Sequence, residues 1–289
     1  MYAENLELEQ AIFDAAERVE PWLVYADWLQ AAGDPRGELI AAEVSLSHAS
    51  AELHAHALTL RASLGWHLDG CTVDVAWHFG FVDTARIRAH ELPDGVYQPI
   101  DLAPLWKQLT PRCGRFLRTL SVEMSEALNP LHDLPSLWTL APRLESLTLR
   151  GYRLELGHIR APRLRQLDVT DMGFDWPQLE SFSSAYWPSL ERLTLQGSAN
   201  DFLCTQLLSG QGLDQLAHLH LLEQPLDDDM LAAPILSRLQ TLTVSHVALT
   251  DWQQLRQFPR HTRLRVKRLE GLDAEQRLLI DQLSSRPSR

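Results

Sequence analysis

The chain has 289 residues, with 26 basic and 38 acidic side chains and a formal net charge of −12. That balance counts against a dedicated nucleic-acid binder and against docking on anionic lipid, both of which need a basic footprint. Hydrophobic residues make up 45% and charged residues 22% of the chain, ordinary globular usage that can bury a core and excludes global disorder.

The N-terminal 45 residues are acidic, with Arg18 and Arg36 as the only basic groups against ten carboxylates. The opening MYAENLELEQ lacks the apolar core of a signal peptide. No apolar run approaches the ~20 residues that span a bilayer, so a cytoplasmic protein is expected. Leu8, Ile12, Ala15 and Ala16 form one helical stripe, and Leu23, Tyr25, Ala26 and Leu29 a second. Gly33 ends the second helix, Asp34-Pro35 makes the turn, and Leu39, Ile40 and Val44 begin a third. Asp27 sits among helix formers with no partner base, so a buried or capping carboxylate is expected rather than a catalytic one. Residues 51–70 are expected to continue as helix and to pack on the first unit of a repeat that begins at Val82. The three cysteines, Cys71, Cys113 and Cys204, are odd in number and widely separated, which suits free thiols and gives no disulfide framework.

From residue 82 the sequence repeats. The form L-x-x-L-x-L begins at Leu117, Leu144, Leu164, Leu190, Leu216 and Leu239. A variant begins at Val82, with Ala85 in the middle, and a weak copy at His261. Between middle residues the steps from Leu120 are 27, 20, 26, 26, 23 and 22. Such a motif is a short strand, because alternate side chains share a face. A further apolar residue often follows five positions on, as at Leu154, Phe174, Leu226 and Leu249. One unit buries too little apolar surface to offset the entropy of ordering it, so the units must stack.

This array resembles the leucine-rich-repeat family. The resemblance implies an α/β solenoid, an irregular leucine-rich-repeat array with a parallel concave sheet and helical caps at both ends. The family usually places Asn or Cys three residues after the motif. This chain has Ser125, Tyr152, Met172, Ser198, Gln224, Val247 and Leu269 there, so an irregular array is expected. The N-terminal segment, with Leu23-Val-Tyr-Ala-Asp-Trp-Leu29 followed by Gly33-Asp-Pro-Arg-Gly-Glu-Leu-Ile40, resembles the bacterial repeat-companion domain of myxobacteria and planctomycetes. Trp22 departs from it, replacing a basic residue. Phe79-Gly-Phe-Val82 resembles the phrase that opens the first repeat in such proteins. The expected organisation is a helical cap over 1–70, the repeat array over 71–270, and a cap helix with a tail over 271–289. In the last part, Asp273 and Gln276 form a capping-box pattern ahead of Leu279, Ile280 and Leu283, and Arg286–Arg289 should fray.

Residues between the motif leucines point out of the core. The expected binding strip comprises Arg150, Gln166, Asp168, Arg192, Thr194, His218, His220, Thr243, Arg263, Arg265 and Lys267. Much of the wider strand face, which adds Thr84, Thr119, Ser121, Ser146, Thr148, Thr241 and Ser245, should be small, accessible and hydroxylic, with a basic end drawn from Arg256–Lys267. Phosphate-loop, dinucleotide, HExxH, GxSxG and CxxC signatures are absent from the sequence. The reading is therefore a non-enzymatic interaction module with a protein partner and no cofactor. Two alternatives stand beside it. One is a polyanion binder acting through the basic C-terminal end. The other is a metal-dependent enzyme at His218-x-His220, whose rings share a strand face and would need a third ligand. His54-x-His56 diverges on a helix, and Asp227-Asp-Asp229 reads as a solvated acidic loop.

Overall fold

The computed structural model describes residues 5–15, 18–45, 55, 57–59, 71–89, 114–124, 134–151, 154, 156–171, 184–197 and 212–286. Phe174, Cys113, Cys204, His54 and His56 lie outside these residues, as does most of 51–70. Ala57, which is described, is helical and buried beside Leu39 and Trp77.

The architecture is α/β and repeat-like. Among the described residues nine strands form one open sheet in chain order. They are β1 (Cys71–His78), β2 (Phe81–Ala89), β3 (Thr119–Glu123), β4 (Ser146–Gly151), β5 (Gln166–Asp171), β6 (Arg192–Gln196), β7 (His218–Leu221), β8 (Thr241–Val244) and β9 (Arg263–Val266). From β2 to β9 every pair is parallel. The middle residues of the motif stand in one row: Ala85, Leu120, Leu147, Leu167, Leu193, Leu219, Leu242 and Leu264. None of the eight exposes any surface. A one-residue slip of any strand would turn its leucines to the opposite face, so this row pins the register.

Two details differ from expectation at the ends of the row. β1 is a strand where the periodicity begins only at Val82. It pairs antiparallel with β2 through a tight turn in which Phe79 and Gly80 both have positive φ, 46° and 76°, as a two-residue hairpin of matching twist requires. The Phe79-Gly80 phrase is therefore a hairpin turn inside the sheet. In the last copy the buried lead residue is Thr262, while His261 is exposed. Thr262 occupies the apolar slot because its hydroxyl donates to the carbonyls of Leu236 and Leu239, at 3.2 and 2.6 Å, which satisfies a polar group in the core.

The return segments close over the apolar face of the sheet. They include the short helices α4 (Leu137–Leu140) and α5 (Asp228–Leu231) and the 3₁₀ turn Trp252–Gln257. Leu154, Leu226 and Leu249 are buried there, together with Leu137, Met230 and Leu255. The aspartate run is a helix start and not a solvated loop. Asp227 accepts from the Met230 N–H at 2.8 Å as the N-cap of α5, and Asp228 accepts from Thr250.

The N-terminal unit comprises α1 (Leu6–Asp14), α2 (Glu20–Ala31) and α3 (Pro35–Ser45). Its core of Ile12, Phe13, Trp22, Tyr25, Ala26, Leu29 and Ile40 is continuous with Phe81 of β2 and Phe116 at the entry to β3. Trp22 lies within 6.0 Å, centroid to centroid, of Phe79, Phe81 and Phe116, so an aromatic residue at this position joins the helices to the sheet. Leu23, assigned to the apolar stripe, is exposed in its place. Asp27 is exposed within α2 and is neither buried nor capping. Gly37 permits α2 and α3 to touch, since a Cβ there would stand 2.6 Å from the Ala26 carbonyl oxygen.

The C-terminal helix α6 (Ala274–Ser284) carries the expected capping box between Asp273 and Gln276. It buries Ile280 and Leu283 and seals the free edge of β9, where the Ser284 hydroxyl donates to the Leu264 carbonyl at 2.6 Å. Arg286 does not fray. Its guanidinium donates to the carbonyls of Phe258 and Pro259, at 3.4 and 2.8 Å, and its own carbonyl accepts from Arg263 Nε at 2.7 Å. Among the described residues no helix is long and apolar enough to cross a membrane.

Candidate functional site

Each strand of the parallel array turns its motif leucines into the core, which directs the intervening residues to the opposite, polar face. Along this face the register aligns Gln166, Arg192, His218, Thr241 and Arg263 in one row, and Asp168, Thr194, His220, Thr243 and Arg265 in the next. Nine of the eleven residues expected to form the binding strip thus share one grid. Arg150 lies farther along β4, and Lys267 just beyond β9.

The grid is not chemically uniform. Toward β2 its charges are paired internally: Arg86 donates to both oxygens of Glu123, at 2.9 and 3.0 Å, and Ser121 adds a third bond at 3.1 Å. Burial pushes the Glu123 pKa up, but these hydrogen bonds and the charges of Arg86 and Arg150 outweigh it and leave the carboxyl below its ordinary value. On β5, Gln166 donates to Asp168 at 2.6 Å. Toward β9 the pairing stops. Among the described residues, neither Arg192 nor Arg265 has a carboxylate within 4.0 Å.

Between these two arginines stand His218, His220, Thr241 and Thr243. Burial lowers the pKa of both imidazoles, and the positive charge of Arg192, followed by weaker effects that include Arg265, lowers it further. Both rings are therefore neutral at pH 7, each able to donate and accept one hydrogen bond. The threonines differ from the expected accessible hydroxyls. Thr241 and Thr243 are each 7% exposed, and the Oγ1 of Thr243 is buried with no hydrogen-bond partner. In register, these buried threonines of β8 stand between the half-buried histidines of β7 and the arginines of β9. With strands about 4.8 Å apart, Arg192 and Arg265 lie on strands separated by about 14 Å.

Part of the expected basic end is engaged within the chain. Arg256 reaches Glu275 at 3.3 Å, and Arg263 Nε is held by the Arg286 carbonyl. Arg260, Arg265 and Lys267 remain exposed. Among the described residues no three or more His, Cys, Asp and Glu side chains gather where they could hold a metal ion. The grid neighbours of the histidines are Arg192, Thr194, Thr241 and Thr243, with Asp168 within electrostatic reach of His220. Cys71 is buried, and burial pushes its thiol up to about 11, which keeps it protonated and unreactive at neutral pH.

No protein-family model matches the chain. No curated protein matches it. Among solved structures it is similar to a structural-genomics crystal structure of a protein from Bacteroides fragilis, at 16% identity and a TM-score of 0.48. The match covers 66% of this chain and 61% of that one, so this chain spans about three fifths of the length of the structure it resembles.

Proposed function

We propose that the chain is a bacterial leucine-rich-repeat protein, an irregular solenoid with a repeat-companion domain at its N-terminus, and that it is a non-enzymatic cytoplasmic interaction module. Its partner is another protein, bound on the polar sheet face between β6 and β9. The segment that binds there is extended and acidic.

One observation carries this reading: the patch combines unpaired cations with a buried hydroxyl that has no partner. A buried unsatisfied hydroxyl costs about 1–3 kcal/mol, and a ligand that parts the covering side chains and bonds Thr243 recovers part of that. Acidic side chains meet Arg192 and Arg265, while backbone amides and carbonyls meet the neutral imidazoles. The polyanion alternative is weakened by the internal use of Arg256 and Arg263.

The test is site-specific photo-crosslinking in native cells, with the crosslinker at Thr194 or, as a control on another surface, at Ser237. A protein recovered at Thr194 and not at Ser237, and lost with R192E/R265E, supports the proposal. Equal recovery at both positions overturns it. Purified chain that binds single-stranded DNA with a steep salt dependence, and loses that binding with R265E, moves the assignment to a polyanion binder.

A further inference from the structure

At the junction of α1 with the turns that enter β3, β4 and β5, three guanidinium groups surround one phenyl ring. The Cζ atoms of Arg143, Arg163 and Arg115 lie 5.4, 5.5 and 6.0 Å from the centroid of Phe13. Arg143 and Arg163 hold equivalent positions in successive repeats, in Pro142-Arg143-Leu144 and Pro162-Arg163-Leu164. The repeat itself therefore sets one guanidinium beside the next. In the following repeat Ser189 takes that position and the row ends.

The three arginines are not equally provided for. Arg115 is ion-paired with Glu9 at 3.3 Å. Among the described residues, neither Arg143 nor Arg163 has a carboxylate within 4.0 Å. Arg143 is 4% exposed, and its Nε is buried with no hydrogen-bond partner. Arg163 is half-buried and gives the cluster an opening to solvent. Of the other charges nearby, Arg118 is paired with Asp83, and Glu145 is felt by Arg143 without touching it. Burial, followed by the like charge of Arg118, pulls the Arg143 pKa below its ordinary value. The phenyl face attracts a guanidinium but offers no acceptor along the Nε–H direction. A guanidinium this deeply buried is costly while a donor lacks an acceptor, and a bound anion would answer both the donor and the charge.

We infer that this junction is an oxyanion site, in which Arg143 and Arg163 hold a phosphate group, free or as a small phosphate monoester, against Phe13. The site is separate from the β6–β9 patch and does not rest on the function proposed for it. Phosphate fits better than carboxylate because its tetrahedral oxygens accept from several directions. Two guanidinium forks arriving from separate turns can then each bind in a bidentate manner.

The full-length protein is titrated at fixed ionic strength with sodium phosphate, adenosine monophosphate, sodium acetate or sodium chloride. Melting temperature is followed by fluorimetry and the ³¹P line width by NMR. Saturable stabilisation and line broadening with phosphate or the monophosphate, absent with acetate and chloride, support the site. Tighter binding of the monophosphate assigns the group to a monoester, and tighter binding of phosphate to the free anion. R163Q, at a half-exposed position, keeps the fold and weakens binding at least tenfold. R143K, which retains the charge without the fork, weakens it as well. Phosphate that acts no differently from chloride overturns the inference, as does binding unchanged in R163Q.

Discussion

Asp34 and Arg36 form a two-point ion pair inside the N-terminal helical unit, with Oδ1 accepting from Nε at 2.9 Å and Oδ2 from Nη2 at 2.6 Å. Both side chains are almost wholly buried. Asp34 also accepts from the Arg36 backbone N–H at 3.0 Å, and the guanidinium lies 4.9 Å from the centroid of Phe81. The Gly-Asp-Pro-Arg turn is thus a link between helix α3 and strand β2. Truncating one partner breaks a two-point ion pair in a buried setting, which costs about 3–5 kcal/mol. Asp34→Ala should lower the urea midpoint accordingly. Arg36→Lys should also be destabilising, because an ammonium cannot reproduce the fork.

Gly37→Ala tests the neighbouring contact. The added methyl would lie 2.6 Å from a backbone oxygen and 2.8 Å from a backbone nitrogen of α2, so the helices must separate. A loss of about 1–3 kcal/mol is expected, read by chemical denaturation. An unchanged midpoint would mean that α2 and α3 do not pack this closely.

Thr243→Val separates stability from recognition. Valine keeps the shape and removes the unsatisfied hydroxyl, so the fold should be unaffected or gain up to about 1 kcal/mol. Capture of the crosslinked partner at Thr194 should fall nonetheless. A variant that is stabilised and binds as before would show that the hydroxyl contributes nothing to the interface.

The histidines give a pH dependence with a definite sign. Burial lowers the pKa of His78, His218 and His220 below the ordinary value of about 6.5. In the window just below that value the unfolded chain binds more protons than the folded one, so stability rises with pH there. Stability is full above about pH 6.5 and falls as pH drops below it, once unfolded imidazoles protonate. His220→Gln should flatten part of that slope in thermal melts between pH 7 and 5. An acidic partner opposes the effect. The groups facing His220 are Arg192, His218, Arg265 and Asp168, and added carboxylates would favour the imidazolium. Binding should therefore take up protons and tighten from pH 7.5 to 6, in buffers of matched salt.

The strand array was legible in the sequence because one residue type recurs where the core demands it. Leu147, Leu193 and Leu219 are leucine for the same reason, a fully buried position in the same row. What the repeat does not encode is not legible in that way. β1 lies outside the repeat and is fixed by its hairpin turn, whose Phe79 has an unusual backbone for a bulky side chain. Thr262 is not legible as a core residue because a hydroxyl reads as polar until the two carbonyls that satisfy it are known. At the candidate site, the strip residues followed from strand alternation, but their inequality did not. Thr243 is buried although its register neighbours on β7 and β9 are polar, which strand alternation does not tell. The arginine row did leave a signal, the repeated Pro-Arg-Leu at 142–144 and 162–164. Its partner Phe13 lies more than a hundred residues away, and only the docking of α1 joins them.

The seal that α6 makes on β9 has a consequence for how such a chain can change over time. Among the described residues, each strand between β2 and β9 pairs in the sheet only with the strand before it and the one after, so gaining or losing a whole unit beyond β5, clear of the α1 junction, would leave the other strand pairings as they were. The ends have no such freedom. The hydroxyl of Ser284 and the carbonyl of Arg286 are fitted to Leu264 and Arg263, and the aromatic residues of α2 are fitted to Phe81 and Phe116. Growth by duplication is therefore an interior event, and the two terminal pieces travel outward intact as the array between them lengthens.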